Sequence, residues 1–526
     1  MDTYLDSINF QNSFVDNLPG DPIRQNYIRT VFKACYSLVD PEPVSDPELV
    51  EYSDEVGSLL GLARADKNHP SVQIMAGNLV TGSMKPFAAC YGGHQFGHWA
   101  GQLGDGRAIT LGDIVNDSGA RFEIQLKGSG ETPYSRRGDG RAVFRSSLRE
   151  FLCSEAMAHL GIPTTRALSL VGTKEMVMRD MFYDGNAKPE PGAIVSRVAP
   201  SFLRFGSFEI LADRQDNAIL LNLLDYLIAY HFPEFGKGQD AYARWFLEIC
   251  KRTALLMVDW MRVGFVHGVM NTDNMSALGL TLDYGPYGWL EDFDPAWTPN
   301  TTDFSTRRYA YGKQPEIAYW NLTCLASSLL PVLDKKVLEE GLATYTPTFN
   351  QGYHQAFAHK LGFLQLDGEE DQSLLRELLS LLAAVETDFT LFFRCLTDFS
   401  VHGDIKEDEL LSAFSPAYYD DKFKQQSYRE RMMGWIEKYR KKTLQEGVSP
   451  KNRRELMLKS NPGFVLRNYL VQEAIDLAST GEYKRISELF DALKDPYVES
   501  PDPAFSQRRP EWARYKPGCS ALSCSS

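Results

Sequence analysis

Residues 267–285 constrain this chain more than any other stretch. They read His-Gly-Val-Met-Asn-Thr-Asp-Asn-Met-Ser-Ala-Leu-Gly-Leu-Thr-Leu-Asp-Tyr-Gly. The apolar residues at 254–258 and 260–261 predict a buried helix that ends at Gly264. The apolar run 278–282 predicts a short strand that carries Asp283 into a cleft. A helix, a polar loop and a strand would thus bring Asn274 and Asp283 to one place. Asp/Asn clusters also build Asx-turns, so a purely structural loop is the alternative reading of this stretch alone.

Protein kinases read H-R-D-x-x-x-x-N and later D-F-G, where the Asn and the second Asp hold magnesium and the first Asp is the base. His267 and Asn274 keep that spacing, and Asp283-Tyr284-Gly285 follows as the D-F-G would. The position of the usual base is Val269, which cannot accept a proton. A different acid, Asp273, stands beside Asn274.

A chain of 526 residues with 43% hydrophobic and 12% aromatic content can bury more than one core. No apolar run approaches the length that spans a bilayer, and the first residues have neither signal- nor transit-peptide character, so a soluble, cytoplasmic protein is expected. The net charge of −14 argues against general nucleic-acid or anionic-membrane binding, while leaving room for a local basic pocket. Eight cysteines without a C-x-x-C pair make neither a disulfide framework nor a zinc site. Cys519 and Cys524 lie at the extreme C-terminus, where exposure is usual, which makes them candidates for reversible oxidation. A reduced, passive tail is the alternative.

The expected layout is α+β, a protein-kinase-like two-lobed fold with N- and C-terminal extensions. Residues 1–90, broken by proline clusters, read as the N-terminal extension; 91–205 as a strand-rich lobe; 206–400 as a helical lobe with the metal loop; and 401–526 as a helical C-terminal extension. Glycines crowd 92–106, as in loops that let backbone amides approach a phosphate. Residues 107–111 and 122–127 predict paired strands, the second ending on Lys127. A helix is predicted from about 146 to 160. Two acids on it could pair with Lys127: Glu155 lies on the apolar stripe, whereas Glu150 lies opposite and could close a capping box with Ser147. Arg197 and Arg204 are spaced to grip a polyphosphate, with surface ion pairs as the alternative.

The runs at 91–107, 125–130, 145–156 and 267–274 together resemble the selenoprotein O family of pseudokinases, and the resemblance covers nearly the whole chain. It implies a kinase-like fold that binds ATP flipped and transfers AMP to Ser, Thr or Tyr hydroxyls of proteins, releasing pyrophosphate. It further implies nucleotide contacts from Gly104, Gly106, Arg107, Lys127, Asp139, Gly140, Arg197, Arg204 and Asp283, with magnesium or manganese on Asn274 and Asp283. Asp273 would be the proton acceptor. The resemblance selects Glu150 as the partner of Lys127, with Glu155 in reserve, and sets Cys524 where many members carry selenocysteine. Residues 181–192 form a longer segment than is usual in the family.

Two rival functions fit parts of the same pattern. An atypical kinase would move the γ-phosphate, against which Val269 counts. A non-catalytic nucleotide-binding scaffold would not need Lys127, Asn274 and Asp283 together.

Overall fold

Residues 121–127 alternate, and this alternation governs the sheet. In the computed structural model, which describes residues 3–403, 406–519 and 521–523, Ile124 and Leu126 turn into one buried apolar layer, with Ile194, Val198, Leu168 and Val171. Side chains two apart share a face, so Glu123, Gln125 and Lys127 turn to the other. The strands are β1 (Tyr36–Leu38), β2 (Glu48–Tyr52), β3 (Phe87–Ala89), the short hairpin β4 (His94–Gln95) and β5 (His98–Trp99), β6 (Ala108–Val115), β7 (Arg121–Lys127), β8 (Arg166–Arg179) and β9 (Lys188–Ala199). Seven of them form one antiparallel sheet in the order β1-β3-β6-β7-β9-β8-β2. Residues 36–89 therefore supply strands to both edges of this sheet. They are not set apart from it, as the reading of 1–90 as an extension had it.

Seven helices position the site: α1 (Phe144–His159), α2 (Phe205–Asp213), α3 (Gln239–Val263), α4 (Gln314–Leu329), α5 (Tyr345–Leu361), α6 (Asn468–Ala478) and α7 (Lys484–Leu493). A large apolar core runs from α1 through α2 and α3 to residues 464–519, and a second core gathers residues from 357 to 457. Helix α3 ends on Gly264, whose φ of 76° is the left-handed conformation that lets the chain turn back toward the 267–285 loop. The predicted strand at 278–282 is absent. That run folds as a turn, tied by single bridges of Thr281 to Thr164 and to Met275. Gly279 there has φ of 80°, outside the extended range that a strand needs.

Helix α1 is buried on nearly every side, including Glu150 and Glu155. Strands β8 and β9 cover one face, and α6 and α7 cover the other. The ring of Phe151 stacks obliquely on Phe490 of α7, 5.1 Å between centroids. The C-terminal segment is thus the back wall of the helix that carries Glu150. Replacing Phe490, 4% exposed, by alanine should destabilise the protein by about 3–4 kcal/mol through lost burial and a residual cavity. Urea denaturation of F490A checks this, and an unchanged midpoint would mean that α7 does not support α1.

Candidate active site

Strand register, one helix and one loop converge on the carboxylate of Asp283. Lys127 ends β7, and its Nζ lies 2.5 Å from Glu150 Oε2 of α1 and 3.4 Å from Asp283 Oδ1. On the neighbouring strand, Arg197 stands directly opposite Gln125. Its guanidinium donates to Gln125 Oε1, to Glu150 Oε1 at 2.8 Å and to Asp283 Oδ1. Arg204, just ahead of α2, donates from Nη1 to Asp283 Oδ2 and to the backbone oxygen of Asp273, each at 2.7 Å. The Arg204 guanidinium also lies over the Tyr91 ring, 4.4 Å from its centre. Asp283 sits in the left-handed region, with φ of 56°. Such a conformation costs a non-glycine residue energy and persists only where its surroundings hold it, as three cations do here.

The loop that precedes Asp283 is held from within. His267 donates from Nε2 to the carbonyl of Leu282 at 2.8 Å, and its Nδ1 accepts from the Val269 amide at 3.3 Å. The Asn274 side-chain amide donates to the Val269 carbonyl at 2.8 Å, and Asn274 lines the cleft. Asp273 accepts from Gln95 Nε2 at 3.2 Å through Oδ2, while Oδ1 is buried with no partner. Val269, in the position of the kinase base, lines the cleft beside it.

The electrostatics divide the acids. Burial pushes the Asp273 carboxyl up to about 7, against the pull of Arg204 and Gln95. Burial would raise Asp283 too, but Lys127, Arg197 and Arg204 more than offset it and hold that carboxyl well below the usual range. Burial lowers Lys127, which Glu150 and Asp283 partly counteract. For Arg197 and Arg204, the surrounding acids outweigh burial and raise both. Asn274 Oδ1 and the Asp283 carboxylate are two oxygen donors that could hold a hard divalent cation.

These groups border a cleft of about 970 Å³. Its walls include seven Lys/Arg side chains (Arg107, Lys127, Arg136, Arg137, Arg141, Arg179, Arg197) against four Asp (Asp105, Asp139, Asp273, Asp283). In a protein of net charge −14 this is a concentrated basic hollow. Of the residues expected from sequence, Gly104, Gly106, Arg107, Lys127, Asp139, Gly140, Arg197, Asp273, Asn274 and Asp283 line it. Arg204 and Glu150 stand behind the wall. Glu155 is elsewhere: it pairs with Arg166 at 2.7 Å and accepts from the Ala167 amide. Arg197 and Arg204 turn their heads to Asp283 and not to open space, whereas Arg107, Arg136 and Arg137 form no ion pair among the described residues. Asp139 is paired with Arg179 at 2.6 Å. At Gly104, φ is 81° and an added Cβ would stand 2.4 Å from the Tyr134 ring, so this glycine is needed by the protein's own packing.

Cys519 does not fit the expectation of an exposed tail. It is buried in the large core, and Asn468 of α6 donates to its carbonyl at 2.9 Å. Burial pushes its thiol up to about 12, which suppresses the reactive thiolate. Cys524 lies outside the described residues. Several neighbours of the site were not expected: Gln95, Asp105 and Gln125. Gln125 could have been found, since strand alternation puts it on the same face as Lys127. No helix among the described residues is long and apolar enough to cross a membrane.

The family model described as "Protein adenylyltransferase SelO" matches residues 25–494. A protein nucleotidyltransferase YdiU of Nitrosospira multiformis is 53% identical over 543 residues, covering 98% of this chain and 96% of the relative. The protein of the same description from Aromatoleum aromaticum is 54% identical, covering 98% and 99%. A solved structure, ROP2 from Toxoplasma gondii, described as having a protein-kinase fold and no enzymatic activity, covers 56% of this chain and 86% of its own at 12% identity. Its TM-score of 0.22 is too low to carry an argument.

Asp283→Asn should destabilise the ligand-free protein, because Lys127, Arg197 and Arg204 then share one carboxylate fewer. The cost should be about 2 kcal/mol, below that of a fully buried pair because the cleft admits water. Chemical denaturation without nucleotide measures it; an unchanged or raised stability would mean that the cations do not depend on this acid.

Proposed function

The chain belongs to the protein adenylyltransferase SelO family, and from that premise we propose that this cleft transfers AMP from ATP to Ser, Thr or Tyr hydroxyls of other proteins. It is a nucleotidyltransferase with a kinase-like fold. The observation that carries the finer reading is the pairing of Val269 with Asp273. The kinase base is absent, and a buried carboxylate with one oxygen unpartnered faces the same cleft.

In this reading the acceptor oxygen bonds to the α-phosphorus while the bond from that phosphorus to the β-bridging oxygen breaks. Pyrophosphate leaves, and the hydroxyl proton passes to the Asp273 carboxylate. A carboxyl raised by burial is a better proton acceptor than an ordinary one. The three arginines without ion-pair partners, Arg107, Arg136 and Arg137, meet the polyphosphate. Lys127 and Arg197 neutralise charge at the wall, which is where most of the acceleration of such a transfer arises.

Asn274 and Asp283 would hold magnesium or manganese, which would supply further charge neutralisation at the phosphates. The donor set fits that class of ion. Both donors, the Asn274 amide oxygen and the Asp283 carboxylate, are oxygens on residues that line the cleft. A hard cation that takes its remaining ligands from phosphate and water matches this pattern. Glu150 fixes Lys127 and Arg197, and Arg204 fixes the backbone of Asp273 against Asp283.

Incubation with ATP labelled at either the α- or the γ-phosphorus tests the reading. Covalent label should come from the α position alone, with an added AMP mass. Asp273→Asn should lower the transfer rate by about 10²- to 10⁴-fold, with ATP affinity retained. Label from the γ position alone would make this an atypical kinase, and no label from either would leave a nucleotide-binding scaffold. Full transfer by D273N would remove the base from Asp273.

A further inference from the structure

The β4–β5 hairpin is a divider. Its base is fixed to the 267–285 loop: the His94 amide donates to Thr272 Oγ1 at 2.7 Å, and His94 Nδ1 meets Glu209 Oε2 at 2.5 Å. Gln95 reaches Asp273. At the tip, the Phe96 amide donates to the hydroxyl of Tyr309 at 2.9 Å, and that hydroxyl donates to Asn271 at 2.6 Å. Phe96 has φ of 51°, a conformation held by these contacts. Its side chain lines the cleft on one side and a second hollow, of about 520 Å³, on the other.

That second hollow carries net positive charge, with Arg308 and Lys313 against Glu316. Arg308 lines it, with its guanidinium 4.6 Å from the Trp320 ring centre and packed against Gly97. Stacking on both sides holds the guanidinium in place. Arg308 pairs with no carboxylate among the described residues, and its Nε and Nη2 are buried without an acceptor. Lys313, exposed on the rim, has no ion-pair partner among the described residues either. Glu316 is the one acid in the lining, and it pairs with neither. In a chain of net charge −14, acidic partners are repelled over most of the surface, so a cationic hollow that shares Phe96 with the cleft stands out.

We propose that the Arg308–Lys313 hollow is the docking subsite for an acidic side chain of the acceptor protein, close in sequence to the hydroxyl that receives AMP. This rests on the adenylyl-transfer reading and adds a substrate preference to it. Phe96 is the lining residue common to the hollow and the cleft. An extended acceptor segment, advancing about 3.3 Å per residue, crosses it within roughly two to four residues. A charge at the rim of a docking site acts mainly on encounter and affinity, so the subsite governs KM for the acceptor and leaves the chemical step alone.

The test uses the full chain and pairs of synthetic peptides, each with a single acceptor hydroxyl and either Glu or Gln two to four residues away. In the wild type, the Glu peptides should show a KM about tenfold lower, on the scale of one well-placed charge pair, with similar kcat. Arg308→Gln and Lys313→Gln should each shrink that preference, with KM for ATP unchanged. Arg308→Glu should turn it toward peptides bearing Lys. Should loss of the Trp320 stack unfold the Arg308 variants, the exposed Lys313→Gln still reports. Self-labelling with α-labelled ATP runs alongside as the readout of transfer itself. If α-label appears neither on the enzyme nor on any peptide, the transfer reading fails and the subsite with it. If self-labelling is present but the peptides are modified without regard to charge, or not at all, only the docking subsite is overturned.

Discussion

Everything around the cleft depends on one carboxylate shared by three cations. Asp283 arrives from the loop after α3, Lys127 from β7, Arg197 from β9 and Arg204 from the entry to α2. Buried charge of one sign is expensive, and burial of a cluster is tolerated only when both signs balance and hydrogen bonds are complete. Here Glu150 and Asp105 supply the other acids, with Glu150 touching two of the cations. The strand-rich part and the helical part are therefore joined electrostatically at the point where phosphates would enter. A polyphosphate with its own cation would enter a site whose charges are already held in position.

That arrangement is supported from behind. Helix α1 could not present Glu150 to the cleft while exposing its other side to water, since its apolar residues occupy both faces. The C-terminal helices α6 and α7 close that second face, and Arg149 extends the joint by donating to the carbonyl of Tyr287 at 3.0 Å, just beyond Asp283. The C-terminal segment is accordingly part of the site's construction. Both acids of α1 are fixed from the sheet, Glu150 by Lys127 and Arg197 at the cleft and Glu155 by Arg166 at the start of β8.

The hairpin that separates the two hollows gives the histidine- and glycine-rich run 91–99 a physical role. It anchors to Thr272 and Asn271 through backbone and side-chain hydrogen bonds, so it moves with the loop that carries Asp273 and Asn274. An acceptor segment and a nucleotide would thus be oriented by the same rigid unit, which is how positioning reduces the entropy cost of bringing two reactants together.

Local chemistry in the sequence was enough for several elements. Spacing placed His267, Asn274 and Asp283 in one loop, alternation placed Lys127 at a strand end, and Gly264 marked the end of α3. Each depends on residues near one another along the chain, where propensity and periodicity act. The rest required contacts between distant residues. Periodicity points to the face that meets the core, and it could not choose between Glu150 and Glu155 because α1 has no solvent face. The run 278–282 is apolar enough for a strand, yet it turns at Gly279 and finds only single bridges, to Thr164 and Met275. Residues 36–89 join the sheet at both edges, Cys519 is buried in the core beside α6, and Arg308 faces a hollow made by a hairpin some two hundred residues earlier. Tertiary structure decided these because long-range pairing and burial leave no local period in the sequence to read.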